Sequence, residues 1–202
     1  INPLKLGLGC MSMSEFYGNP ITQEEANLLI STAYENGVNF FDTADVYGYG
    51  KNEALIGNAI KSLLGKGVAS RSNIILATKC GIIRDEHDST SRGINNSYNY
   101  IRHACAASIQ RLGNEINYID IYYLHRISNN GKELDEAMLA MAELLSEKKI
   151  GAVGLSEASA DIIKCANDAL LKYTNGKHGV FAVQSEYSLL SRVVEQNNVL
   201  ST

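Results

Sequence analysis

Several things are scarce in this sequence, and each scarcity narrows what the chain can be. Its 202 residues include 2 prolines and 4 cysteines, and 18 basic against 22 acidic residues leave a formal net charge of −4. A mildly acidic chain lacks the basic face that a nucleic-acid partner requires. No apolar run approaches roughly 18 residues, so no membrane span is expected. The chain opens at Ile1 rather than Met, with no charged-then-apolar signal segment in view, and the expectation is that the natural start is missing. The cysteines Cys10, Cys80, Cys105 and Cys165 are scattered and form no C-x-x-C. The histidines His87, His103, His125 and His178 add no ligand spacing, which speaks against zinc. Free, mostly buried thiols in a reducing cytoplasm are the plainer expectation. His87 lies near Asp85 and Asp88, but such groups in a polar loop are ordinarily just solvated, and no metal is expected. Low-complexity segments are absent. With 45% hydrophobic residues the composition is globular, and 1–202 reads as a single domain.

What the chain does have is an alternation of short apolar runs and helical patterns. Leu4–Gly9 reads as a first strand, followed by a helix opened by the capping box Thr22-x-x-Glu25 and closed at Gly37. Val38–Phe41 is a second strand, and Leu55, Ile56, Ala59, Ile60, Leu63 and Leu64 mark a helix that stops near Gly65. Ile74–Ala77 is a third strand, and the polar stretch 81–96 reads as a long loop. Ser97 caps a helix to about Leu112, Tyr118–Leu124 is a fourth strand, and Glu133–Glu147 is helical. Ala152–Leu155 is a fifth strand, Ser159 opens a helix, and Val180–Gln184 is a sixth strand.

Units of roughly 30 to 45 residues are the size of βαβ modules. A doubly wound sheet would carry a glycine fingerprint in an early turn. Gly7-Leu8-Gly9 and Gly48-Tyr49-Gly50 both lack the third glycine. A (β/α)8 barrel instead puts polar chemistry at the C-terminal ends of many strands. Asp42, Lys79, His125, Ser156 and Gln184 follow that pattern, so the expected class is α/β, a (β/α)8 TIM barrel with about six βα units present. Closure needs eight strands and about 250 residues, and six would leave two apolar sheet edges open. The expectation is that the natural chain is longer than these residues.

The strand-end residues share a coherent chemistry. A tyrosine gives up its proton reluctantly at neutral pH. An ammonium beside its oxygen favours the phenolate, an aspartate holds that ammonium in place, and a histidine orients a carbonyl. Tyr47, Lys79, Asp42 and His125 supply this set, which polarises a carbonyl and protonates the alkoxide left by hydride addition. None of them supplies hydride, so a nicotinamide cofactor is required.

The segments Phe41-Asp42-Thr43-Ala44-Asp45-Val46-Tyr47-Gly48, Leu76-Ala77-Thr78-Lys79 and Leu124-His125-Arg126 resemble the signatures of the aldo-keto reductase family. The resemblance runs from Gly7-Leu8-Gly9-Cys10-Met11 to Gln184-Ser185-Glu186-Tyr187-Ser188. It implies a cytoplasmic NADP(H)-dependent reductase of aldehydes or ketones, with a small-molecule carbonyl substrate and neither nucleic acid nor membrane as partner. It assigns Tyr47 as general acid, Lys79 as its activating ammonium, Asp42 as the partner of Lys79, and His125 as the carbonyl-orienting group. Met11, Asp42, Ser156 and Gln184 fall at its cofactor-contacting positions, with Ser156 and Gln184 on the nicotinamide carboxamide. A carboxamide needs both a donor and an acceptor to fix which ring face meets the substrate.

Three departures accompany the resemblance. Glu157 stands where many members have asparagine. The run Gly9–Ser14 with Phe16-Tyr17-Gly18 is similar to the bacterial, fungal and plant branch. In the family the aromatic that stacks on the nicotinamide follows strand seven and the residues gripping the adenosine phosphate follow strand eight; neither region is among these residues, so preference for NADP over NAD rests on the family. Two other functions compete: a cofactor-sensing regulatory subunit that keeps all four catalytic residues, and an inert truncated relic.

Overall fold

The computed structural model describes residues 6–15, 18–85, 87–88, 92–128 and 131–202. The expected first-strand residues Leu4 and Lys5 and the branch-marking Phe16 and Tyr17 lie outside them.

The described residues form eight strands and five α-helices, in the order β1 (Leu8–Gly9), α1 (Gln23–Glu35), β2 (Phe40–Asp42), α2 (Lys51–Gly65), β3 (Ile75–Cys80), β4 (Ile82–Arg84), β5 (Arg92–Ile94), α3 (Tyr98–Leu112), β6 (Ile119–Leu124), α4 (Gly131–Ser146), β7 (Ile150–Ser156), α5 (Ala160–Tyr173) and β8 (Ala182–Gln184). Hydrogen bonding orders six of the strands β1-β2-β3-β6-β7-β8, and β1–β2, β2–β3 and β7–β8 pair in parallel. This order simply follows the chain, as in a singly wound barrel. A doubly wound sheet would reverse direction part-way.

The local signals act as the sequence predicts. The Thr22 hydroxyl accepts the Glu25 N–H, and the Glu25 carboxylate accepts the Thr22 N–H. Ser159 caps α5 by accepting the N–H of Ile162. Gly37 follows α1 at φ 89°, as a C′ residue should. All six residues of β3 are buried, which is the mark of a strand covered on both faces. Stretch 81–96 differs from its reading as a loop. Its two ends form an antiparallel hairpin, with Ile82 opposite Ile94 and Arg84 opposite Arg92. The three residues of β5 are exposed, so no apolar alternation betrays the strand.

The chain divides into two compact units, Ile1–Lys79 with Ala104–Ile121, and Cys80–His103 with Tyr122–Thr202. In the first, Ile30, Phe41, Ile56, Ile60, Leu76 and Ile119 are fully buried. Here α2 lies so close to the end of α3 that a Cβ on Gly57 would stand 2.1 Å from the Leu112 carbonyl oxygen. At the start of β3, Arg71 donates to the carboxylate of Asp120 at 2.7 Å and to the carbonyls of Ile74, Ile116 and Tyr118. Asp120 in turn accepts the Leu76 N–H. These contacts sit at the strand end where barrels place stability rather than chemistry. In the second unit, Tyr122, Leu124, Met138, Met141, Leu155 and Leu170 are buried. Among the described residues no cysteine forms a disulfide; Cys10, Cys80 and Cys105 are buried and Cys165 is exposed. Among the described residues no helix is long and apolar enough to cross a membrane.

Candidate active site

β2 and β3 run side by side, with Phe41 opposite Leu76 and Asp42 opposite Ala77. This pairing delivers Asp42 and Lys79 to the same C-terminal strand end of the first unit. Lys79 is 1% exposed. Its Nζ donates to Asp42 Oδ2 at 2.6 Å, to the Thr43 carbonyl at 2.8 Å, and to the Tyr47 hydroxyl at 3.4 Å. A buried ammonium needs partners for all three of its hydrogens, and these three provide them. Tyr47 is buried too, and Lys79 lies 5.1 Å from the centre of its ring. Asp42, Tyr47 and Lys79 therefore form one cluster. The second carboxylate oxygen of Asp42, Oδ1, is buried with no hydrogen-bond partner among the described residues.

The turn that carries Tyr47 is held in an uncommon conformation. Gly48, Tyr49 and Gly50 have φ of 53°, 55° and 85°, all left-handed. A Cβ on Gly50 would meet the Arg111 side chain at 2.6 Å. Arg111 sits there because its Nε donates to Glu53 Oε2 at 2.6 Å. Glu53, fully buried on α2, also accepts the Thr78 hydroxyl at 2.6 Å. Behind the turn, Asn52 accepts from the Thr43 hydroxyl and donates to the Cys10 carbonyl and the Ser14 hydroxyl. Burial, together with the nearby Glu53 carboxylate, pushes the Asp45 carboxyl up to about 8. Its Oδ1 is buried without a hydrogen-bond partner among the described residues, which suits a neutral acid better than an ion. Burial and then the Asp42 charge push the Cys10 thiol up to about 12, so it is an inert structural thiol.

Reasoning from the sequence missed this supporting layer. One signal for it exists: Glu53 shares the helical phase of Ile56, Gly57 and Ile60, so a carboxylate stands on an apolar face. Met11, expected at the cofactor, is half-buried on the short turn after β1, where its carbonyl accepts the N–H groups of Ser14 and Glu15. Gly7-Leu8-Gly9 lies on and beside β1, and Gly48-Tyr49-Gly50 forms the turn into α2.

The second unit holds the other expected residues. His125 follows β6, is 8% exposed, and donates its backbone N–H to the Cys80 carbonyl at 2.7 Å. Arg126 Nη1 donates to the His125 carbonyl at 2.7 Å and to the Ser156 hydroxyl at 3.3 Å, so the chain after β6 is tied to the end of β7. Asn96 closes that chain from the other side, donating to the Arg126 carbonyl and accepting the Ser128 N–H. Ser156, the last residue of β7, pairs in register with Gln184, the last residue of β8. Ser156 is buried and Gln184 half-buried, and the Gln184 side chain makes no hydrogen bond among the described residues.

These observations match what is found in known proteins. The model of the aldo/keto reductase family matches residues 5–202. A probable aldo-keto reductase 1 of Glycine max is 37% identical over 200 residues, covering 96% of this chain and 51% of its own length. The chain thus spans about half the length of that curated relative. Among solved structures, the aldo-keto reductase AKR11C1 of Bacillus halodurans in its holo form is 33% identical with a TM-score of 0.76, over 97% of this chain and 57% of that one. An aldo/keto reductase of Klebsiella pneumoniae in complex with NADP and acetate is 26% identical with a TM-score of 0.71, over 96% and 58%. A six-strand sheet wound in chain order, a lysine buried between aspartate and tyrosine at the strand ends, and a match along nearly the whole sequence agree: this chain belongs to the aldo/keto reductase family.

Proposed function

We propose that this chain carries the proton-donating part of an NADP(H)-dependent reductase of aldehydes or ketones. The observation that carries the reading is the buried Lys79 ammonium, bonded at once to Asp42, to the Thr43 carbonyl and to the Tyr47 hydroxyl. In this reading Tyr47 is the general acid. As its proton passes to the developing alkoxide, negative charge grows on the phenol oxygen. The ammonium 3.4 Å away stabilises that charge in a site largely shut off from water. Asp42 keeps the ammonium aimed through a 2.6 Å bond. His125 takes the carbonyl-orienting role that the family resemblance gives it.

The nicotinamide cofactor supplies hydride when bound. The residues present suit its carboxamide. Gln184 has an uncommitted amide in register with the Ser156 hydroxyl, and together they offer a donor and an acceptor. Met11 and Asp42 stand as cofactor-contacting residues by the same resemblance. The lack of a disulfide among the described cysteines, three of them buried, favours a reducing cytoplasm.

NADPH oxidation with a panel of small aldehydes tests the reading. Tyr47→Phe is expected to cut turnover about 10²- to 10⁴-fold, the usual contribution of a positioned acid, with NADPH binding retained. Equal turnover by the variant and the parent overturns the assignment of the acid. Tight NADPH binding with no turnover on any aldehyde replaces the reductase with a cofactor sensor.

A further inference from the structure

We infer that Glu157 is a positioning residue that sets the Gln184 amide for carboxamide binding, an inference that rests on the carboxamide reading given above. Glu157 directly follows Ser156 at the end of β7, and its φ is 52°. A non-glycine residue enters the left-handed region only when surrounding contacts compensate. Here the contacts come from both ends of the residue. Its backbone N–H donates to the Gln184 carbonyl at 2.8 Å. Its carboxylate Oε1 accepts the Glu186 N–H at 2.8 Å. One residue therefore brackets the chain on both sides of Ser185, just beyond the rung where Ser156 faces Gln184.

β8 needs such a bracket. It is three residues long and pairs in parallel with β7. Upstream, the Phe181 N–H donates to the Val153 carbonyl at 2.8 Å. Downstream, the Glu157 pair of bonds does the equivalent work. The direction in which the Gln184 side chain leaves the strand follows from its backbone, and Glu157 holds that backbone through its own N–H at the end of the ladder and through its carboxylate bond to Glu186. The same strand ends border a cavity of about 300 Å³ that includes Glu157, Ser159, Ser185, Glu186 and Asn197. The left-handed turn is what sends the Glu157 side chain across to the β8 segment. With Oε1 bonded to the Glu186 N–H, the carboxylate acts on the segment that carries Gln184.

NADPH binding, followed by cofactor fluorescence, separates this inference from the reading beneath it. Ser156→Ala and Gln184→Ala are measured first, and both are expected to weaken binding. Glu157→Ala is then expected to weaken binding about 5- to 10-fold, the range of the one side-chain hydrogen bond lost. Glu157→Gln keeps an acceptor oxygen at the same reach and is expected to bind within about twofold of the parent. The double variant Glu157→Ala/Gln184→Ala is expected to bind no more weakly than the worse single variant, because both changes remove one arrangement. Parent-like binding by Glu157→Ala while Gln184→Ala is weak overturns the inference and leaves the carboxamide reading standing. Fully additive losses, or Glu157→Gln as weak as Glu157→Ala, overturn it as well. If neither Ser156→Ala nor Gln184→Ala alters binding, or the parent binds no NADPH, the carboxamide reading fails and this inference falls with it.

Discussion

The lysine cluster of the first unit and the serine–glutamine rung of the second are built by opposite means. Lys79 is buried and charged, and all three of its donors are spent on Asp42, Thr43 and Tyr47. Behind it stand Thr78, a fully buried Glu53, and Arg111. In the second unit the Gln184 side chain is uncommitted, and its strand end is held by two bonds from an exposed glutamate. The difference lies in what water can repair. A buried ion without partners costs several kcal/mol, so its whole environment must come preassembled by the fold. A neutral amide near the surface is satisfied by solvent until something displaces it, so it can be left open.

Substitutions can break or sharpen this contrast. The largest effect is expected from Lys79→Met, which leaves the Asp42 carboxylate beside an apolar side chain. Loss of one partner of a buried pair costs about 3–5 kcal/mol, to be read as a lowered urea midpoint. A loss under about 1 kcal/mol would mean the cluster relaxes freely and the contrast is false.

A smaller, pH-dependent effect belongs to Asp45→Asn. The folded Asp45 carboxyl is raised to about 8 from an ordinary 3.8. Between those values the folded chain holds a proton that the unfolded chain has released, so stability falls as pH rises through that window. The asparagine variant is expected to match the parent near pH 4 and to exceed it near pH 8. Denaturation at the two pH values checks this, and a parent curve with no such slope would show that Asp45 ionises normally. The smallest effect is expected in the second unit. Leu189→Ser and Leu190→Ser, at 97% and 99% exposure, should each shift stability by no more than about 0.5 kcal/mol in the same titration.

Much of the fold was legible because it is local. The capping box at Thr22, the C′ glycine at Gly37 and the Ser159 cap are signals that hydrogen bonds within four residues make real. The buried run of β3 was legible from its unbroken apolar stretch. The β4–β5 hairpin was not, since Arg92, Gly93 and Ile94 are exposed and carry no alternation. In the candidate site, Asp42, Tyr47 and Lys79 could be named from strand-end position and chemistry. Arg111 could not, because its ion pair with Glu53 spans 58 residues and depends on how α3 meets α2. Glu157 read only as a departure from the family pattern, because its meaning lies in a bond to Glu186, 29 residues on.

The sequence by itself determined the alternation of strands and helices and the residue types at the strand ends. Hydrophobic period and residue chemistry are written along the chain, so one reading of it recovers them. Only the tertiary structure decided which carbonyl takes the third hydrogen of Lys79, which arginine neutralises Glu53, and what Glu157 does. Those choices are made by hydrogen bonds between distant residues, and their geometry exists only once the elements have packed.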